Sequence, residues 1–264
     1  ADRERELQAA ATDQSDFIAG LSHEMRSPLH TILGLSELLD TAPGIPEESR
    51  HHIASINRES EVLRRMIDQL LDFSKINAGR MELEVEPFSP ANVADYAGQG
   101  VRELANRKGL GFSVHVDPDV PLAVLGDEFR LRQVLVNLLS NATKYTESGS
   151  VALRVELVEA DRVRFAVSDT GPGIPEGAVE TLFEPYQQAR TSDSSKGTGL
   201  GLTIAKRLVE LMDGELTLET SPRGTTFTFE IPYRQARRKS DIAQIQAAAP
   251  SGHGRVLVVD DSAV

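Results

Sequence analysis

Apolar residues recur every three or four positions along the first forty residues, at Ile18, Leu21, Met25, Pro28, Ile32, Leu35 and Leu39. Alternating steps of three and four make a heptad seam, so this stretch is predicted as one helix. Thr41 to Pro46 (TAPGIP) interrupts it with two prolines and a glycine. A second helical stripe follows, with Ile53, Ile56, Leu63, Ile67 and Leu70 on one side and Met66, Leu71, Phe73 and Ile76 widening it. Asn77-Ala78-Gly79 is its predicted stop, Gly79 suiting the left-handed position after a helix. Two helices joined by so short a connection form an antiparallel hairpin. A hairpin of this size cannot bury a stripe on both helices, so pairing of two copies into a four-helix bundle is expected, making the chain a homodimer.

The texture changes at Met81. Short β-rich runs (81–85, 111–116, 150–158, 162–168, 214–219, 225–231) alternate with helical runs (92–107, 128–144, 200–212). Hairpin-like neighbours such as 150–158 and 162–168 argue for a mixed sheet, and helices on one of its faces would make a two-layer α+β domain. The expected organisation is a helical hairpin over 1–80, an α/β sandwich over 81–233, a polar and alanine-rich linker over 234–252, and a last segment over 253–264. That segment, Arg255-Val-Leu-Val-Val-Asp260-Asp261, reads as a buried strand ending in two acids.

Composition narrows the classes. Net charge of -12 argues against nucleic acid as a partner, because that needs a basic face. The short basic cluster Arg234 to Lys239 (RQARRK) reads as solvated linker. Cysteine is absent, which removes disulfides, thiolate metal sites and cysteine nucleophiles. No apolar run reaches the ~18 residues of a membrane span, and residues 1–14 lack the apolar centre of a signal peptide. A cytoplasmic setting without membrane contact in this segment is expected, with any anchor or sensor lying upstream in a longer protein.

Three constellations carry candidate chemistry. His23 sits in Phe17-Ile-Ala-Gly-Leu-Ser-His23-Glu24-Met-Arg-Ser27-Pro28-Leu29. With Ile18 and Leu21 on the seam, His23 falls at the outermost heptad place, open to approach by another domain. Pro28 denies the Glu24 carbonyl its donor, so a bend is expected beside the histidine. Glu24 supplies a carboxylate able to orient the imidazole or take its proton, and Ser27 lies one turn on. Read alone, the same segment is a surface histidine before a kink.

The second constellation is glycine-rich. Asp169-Thr-Gly171-Pro-Gly173-Ile-Pro175 follows a strand, and Gly197-Thr-Gly199-Leu-Gly201-Leu202 opens a helix. Glycines at a helix start let backbone N–H groups approach phosphate oxygens. Neither run fits the two commonest nucleotide fingerprints, and a single GxG usually marks a tight turn. In the third, Asn137, Asn141 and Lys144 share nearly one face of a helix. Two amides plus an ammonium suit a Mg²⁺–triphosphate, where the metal takes few protein ligands. Of the other histidines, His51, His52 and His115 have no ligand spacing and read as structural, and His30, seven residues from His23 on the same face, reads as surface.

Taken together, these residues resemble the sensor histidine kinases of two-component signalling. Ser22 to Leu29 is similar to the family's H box and Asn137 to Tyr145 to its N box. Asp169 to Gly173 resembles the G1 box, Leu182 to Tyr186 the F box, Gly197 to Leu202 the G2 box, and Gly224-Thr225-Thr226 the last glycine motif. They stand in the family's own order across residues 7 to 232. The resemblance implies a dimeric four-helix bundle followed by a two-layer ATP-binding domain of Bergerat (GHKL) type. It implies ATP and Mg²⁺ as cofactors, His23 as phosphoacceptor and Glu24 as its base or orienter. Asn141 would hold Mg²⁺, with Asn137 and Lys144 near the phosphates, and Asp169 would accept from the adenine amino group. Tyr145, Gly171, Gly173, Ile174, Lys196, Gly197, Thr198, Gly199, Leu200, Gly201, Leu202 and Thr226 would line the nucleotide, under a mobile lid over 184–198. The tail resembles the first strand of a receiver domain, implying a hybrid kinase whose phosphate passes to its own receiver or to a response regulator. Another α/β fold or a dangling strand is the alternative, and the kinase-like core ahead of the tail favours the receiver.

One departure stands out. The family usually has Thr or Asn where this chain has Ser27, which puts removal of phosphate from the partner regulator in doubt. Two other readings are open: a GHKL-type ATPase, against which the 1–80 hairpin speaks, and a non-catalytic nucleotide-binding dimerisation module, against which Asn141, Asp169 and the glycines speak.

Overall fold

The computed structural model of the chain describes residues 25–159, 161–187 and 198–235, together with 18 and 20. Helix α1 (residues 25–41) runs antiparallel to α2 (Glu47–Asn77). Cross-hairpin pairs fix the register: Arg26 Nη2 donates to Asp68 Oδ1 (2.9 Å), and the buried Ser36 hydroxyl donates to Asn57 Oδ1. Arg50 donates to the Asp40 and Ala42 carbonyls at the end of α1, where a cation suits the helix dipole. Gly79 takes φ +65° directly after α2, the left-handed stop expected there.

Packing corrects the seam. Leu29, Leu33, Ile67 and Leu71 form the inside of the hairpin, while Met25, Ile32, Leu35 and Leu39 of the predicted seam are about half exposed. Ile56 and Leu63 of α2 are exposed as well. The heptad stripe is thus wider than one partner helix can cover, and its outer half is left without cover in the single chain. At the other end of α2, Leu70, Phe73 and Ile76 leave the hairpin and pack on the core of the second domain.

That domain is built on a five-stranded sheet in the order β2-β4-β5-β7-β6. Its strands are β2 (Gly111–Val116), β4 (Ser150–Glu159), β5 (Arg162–Asp169), β6 (Glu215–Ser221) and β7 (Gly224–Pro232). Only the β2–β4 pair is parallel, so the sheet is mixed as expected. Period-two alternation buries Val163, Phe165 and Val167 of β5 and Phe227, Phe229 and Ile231 of β7 on one face. Phe165 and Phe229 are cross-strand partners whose rings stack 5.0 Å apart. Against this face lie α3 (Pro90–Lys108), α4 (Glu128–Tyr145) and α6 (Gly201–Leu211), giving two layers. On the other face Arg164 and Glu230 pair across the strands (2.6 Å).

The strand predicted at 81–85 forms instead at β1 (Glu86–Phe88). The Glu84 N–H is taken by the Asp127 carboxylate (3.0 Å), and Val85 points to solvent, so neither ladder bonds nor alternation begin before Glu86. The strand β3 (Val124–Gly126) is too short to show a period. It pairs with β1 on one side and on the other with β8 (Arg234–Gln235), inside the stretch predicted as linker. A four-residue helix, α5 (Glu176–Val179), follows the loop after β5.

Candidate nucleotide and phosphoacceptor site

Asp169 ends β5, level with Thr225 of β7. Its carboxylate accepts from the Gly171 N–H (2.8 Å) and from the Thr225 backbone. Burial raises its pKa above the ordinary 3.8, and those two bonds offset part of the rise. The glycines around it are fixed by close approach. A Cβ on Gly171 would lie 2.9 Å from Asp169 Oδ1 and 3.3 Å from both Thr146 Oγ1 and the Tyr145 carbonyl. Gly173, at φ +74°, would drive a Cβ to 2.0 Å from the Ser221 carbonyl, so its turn is closed to other residues. Ile174 is tied in by its N–H to Thr220 Oγ1 (2.8 Å), and Thr226 Oγ1 lies 3.0 Å from Ser168 Oγ.

Helix α4 supplies the second wall. Asp127 caps it through the Arg130 N–H (2.9 Å), and Leu131, Val134, Leu135, Leu138 and Leu139 bury its inner face completely. The opposite stripe reads Arg130, Gln133, Asn137, Asn141 and Lys144, at steps of three and four that keep all five on one side. Asn137 Nδ2 donates to the Gly201 carbonyl (3.3 Å), which brings the amide stripe to the first turn of α6. Among the described residues that turn has no side-chain cap, and it carries no acidic residue, so its N–H groups suit an anion. Lys144 Nζ reaches the Tyr145 hydroxyl (3.2 Å), and Leu200 and Leu202 pack into the core beneath.

Tyr186 and Gly199 close the site's edge. The Tyr186 N–H donates to the Gly199 carbonyl (3.2 Å), so the chain between them leaves and returns at one place. Thr198 Oγ1 accepts from the Leu200 N–H (3.2 Å) and donates to Gln69 Oε1 of α2 (2.8 Å). Ser27, exposed on α1, lends its carbonyl to Thr31 Oγ1 (3.2 Å). His23, Glu24, Lys196 and Gly197 lie outside the described residues, as does most of the expected lid.

The residues present fit a nucleotide: a half-buried acceptor beside a glycine cradle, an amide stripe and an uncapped helix start. They also limit how a metal would bind, since among the described residues no cluster of three His, Asp or Glu side chains is poised to hold one. A metal here would depend on phosphate oxygens and an amide.

Comparison with known proteins agrees. Residues 13–79 match the His Kinase A (phospho-acceptor) domain family, and 126–235 match the family of histidine kinase-, DNA gyrase B- and HSP90-like ATPases. The sensor histidine kinase RcsC of Escherichia coli (strain K12) is 39% identical over 226 residues, 84% of this chain and 24% of RcsC. The autoinducer 2 sensor kinase/phosphatase LuxQ of Vibrio cholerae is 34% identical over 270 residues, covering 98% of this chain and 31% of LuxQ. The crystal structure of full-length ShkA in complex with AMPPNP superposes with TM-score 0.72 at 32% identity, over 84% of this chain and 47% of that one.

The chain belongs to the sensor histidine kinases. It carries an ATP-binding domain of their kind and spans 24% and 31% of the length of these two curated relatives. No helix among its described residues is long and apolar enough to cross a membrane.

Two features of this histidine kinase chain escaped the sequence. Lys108, at the end of α3, donates to the carbonyls of Thr143 (2.7 Å), Lys144 (2.8 Å) and Thr146 (3.2 Å), closing the end of α4 beside Gly171. A lysine in a last helical turn reads only as dipole compensation for its own helix. Gly224, noted in the last glycine motif but given no role, approaches the Asp169 carbonyl so closely that a Cβ would sit 2.0 Å from it. It lets the β6–β7 turn pack directly against the end of β5 that carries Asp169.

Proposed function

We propose that this chain is the catalytic core of a dimeric kinase that moves the γ-phosphoryl group of ATP onto His23 and then to an aspartate of a receiver domain. Residues 1–80 form the phosphoacceptor and dimerisation hairpin, 81–233 the ATP-binding domain and 234–252 a linker. Residues 253–264 begin a receiver. The observation that carries the reading is that α4 joins both ends of the site: Asn137 of its amide stripe meets the start of α6, and its last turn lies against Gly171, whose N–H the Asp169 carboxylate accepts. Bound ATP supplies the phosphoryl group, and Mg²⁺ supplies charge neutralisation as it leaves.

Asp169 accepts from the adenine amino group, and Gly171 leaves room for the base. Asn141 holds Mg²⁺ while Asn137 and Lys144 face the phosphates, with Tyr145, Ile174 and Thr226 around the base and Thr198 to Leu202 near the phosphate end. One imidazole nitrogen of His23 attacks the γ-phosphorus. The bond from that phosphorus to the bridging oxygen breaks, and ADP leaves with the electron pair. Glu24 orients the ring or receives the proton of the other nitrogen. Onward transfer replaces the P–N bond with a bond to an aspartate oxygen, regenerating the imidazole.

The exposed stripe of Met25, Ile32, Leu35 and Leu39 is the surface that a second copy covers in the four-helix bundle. Incubation with γ-labelled ATP and Mg²⁺ is expected to label the chain at an acid-labile, base-stable position. His23→Gln abolishes the label while leaving ATP binding intact, and Asn141→Ala abolishes it by weakening Mg·ATP binding. Persistent label in His23→Gln overturns the phosphoacceptor assignment, and undiminished labelling in Asn141→Ala removes the metal role.

A further inference from the structure

One short stretch of α2 touches both functional halves of the chain. On one side Asp68 pairs with Arg26, three residues beyond His23 in sequence, a chain distance of at most about 11 Å. On the other, Gln69, Asp72 and Phe73 share a helix face and meet the nucleotide domain. Both Asp72 oxygens accept from Arg130 Nη1 (3.1 Å each), and Asp72 Oδ2 also accepts from Gln133 Nε2 (2.7 Å). Arg130 Nη1 in turn donates to Gln133 Oε1 (2.9 Å), closing a triangle of three side chains. The carboxylate and guanidinium are only 15% and 17% exposed, against 30% and 32% for Arg162 and Glu230. Gln69 holds Thr198, and Phe73 meets the Tyr186 ring edge-on at 6.3 Å, so the same face also grips both flanks of the lid segment.

We propose that Asp72, Arg130 and Gln133 are positioning residues for phosphoryl transfer: they set the register at which the nucleotide domain docks on the phosphoacceptor hairpin. Apolar contacts such as those of Leu70 and Ile76 tolerate sliding by an ångström or two. A half-buried triangle that uses both carboxylate oxygens tolerates one placement, and loss of any corner strands a polar group away from water. Arg130 and Gln133 begin the stripe of α4 that continues through Asn137, Asn141 and Lys144. Bolting the start of that stripe to α2 therefore aims the nucleotide-facing part of the same rigid helix. Asp72 lies one turn of α2 beyond Asp68, so the nucleotide domain meets the hairpin one turn from the residue that pairs with Arg26. Misplacement of reacting groups by one ångström costs rate steeply while leaving nucleotide binding alone.

The inference rests on the reading of His23 as phosphoacceptor, and the test separates the two. Initial labelling rates at saturating ATP, ATP affinity and melting temperature are measured for the whole chain as wild type, Asp72→Arg, Arg130→Asp and the double exchange. Each single exchange is expected to cut the rate by about tenfold or more while ATP affinity stays within about twofold. The double exchange, which restores opposite charges, recovers most of the rate. Asp72→Asn, which keeps the shape and one acceptor, falls between. A rate unchanged or raised in the single exchanges overturns the proposal, as does an ATP affinity that falls in step with the rate. A double exchange that melts like wild type yet stays as slow as the single ones also overturns it. If wild type itself takes no label at His23, the phosphoacceptor reading fails instead.

Discussion

Replacing Lys108 with methionine keeps the length of the side chain and removes its charge. Three carbonyls at the end of α4 lose a shared cationic donor, at 2.7, 2.8 and 3.2 Å. A hydrogen bond to a charged group contributes about 1.5–3 kcal/mol when both partners are dry. Lys108 is an exposed residue, so water takes over part of the loss and a net cost of about 1–2 kcal/mol is expected, consistent with a cation at a helix end. At roughly 2–4 °C per kcal/mol for a domain of this size, the melting temperature falls by about 2–8 °C. The effect reaches the nucleotide because the Tyr145 carbonyl and Thr146 Oγ1 lie 3.3 Å from where a Gly171 Cβ would be, on the wall beside Asp169. Loosening that last turn is expected to weaken ATP by about three- to tenfold, equivalent to roughly 0.7–1.4 kcal/mol. Thermal melts without ATP and calorimetric titration with it measure the two effects, and Lys108→Arg, which keeps the charge, should recover most of both. A methionine variant that melts and binds ATP as wild type does would refute the link.

Other expectations follow from the same geometry. Because burial raises the Asp169 pKa, the folded state holds that proton more tightly than the unfolded chain. The stability it contributes is full below pH 3.8 and declines as pH rises through the raised value. Asp169→Asn, which cannot ionise, should therefore gain stability relative to wild type as pH rises through that window, while binding ATP about ten- to a hundredfold more weakly. Melting curves across that range contradict the account if the gap moves in wild type's favour. Leu35→Glu with Leu39→Glu places charges on the uncovered stripe of α1; the chain should stay folded but lose its dimer, and light scattering showing an intact dimer would exclude that surface as the interface.

The α/β domain was legible wherever burial alone set the pattern. In β5 and β7 every second residue faces the helices, and in α4 the leucines fill one face, so strand and helix periods read directly from the sequence. Where a side chain replaced a backbone partner the reading failed. Asp127 takes the Glu84 N–H and delays β1, and β8 is held by ladder bonds that its polar sequence does not announce. The heptad seam was legible as apolar but not as to which half faces which helix, since Leu29 and Leu33 enter the hairpin while Met25 and Leu35 do not. In the site, residue types at fixed spacing pointed to Asp169 and the amide stripe. Lys108 and the Asp72 triangle, by contrast, join residues 35 to 61 positions apart, and no local spacing encodes them.

The central claim is that the pocket built on Asp169 and α4 serves one imidazole. Mapping the labelled position by fragmentation of the intact chain after reaction with Mg·ATP, at a pH that preserves a phosphorus–nitrogen bond, tests it most directly. The phosphoryl group is predicted on the peptide carrying His23, with one ADP released per group retained. Release of free phosphate with no modified histidine, or a phosphoryl group on His30, His51 or His52 instead, would contradict it.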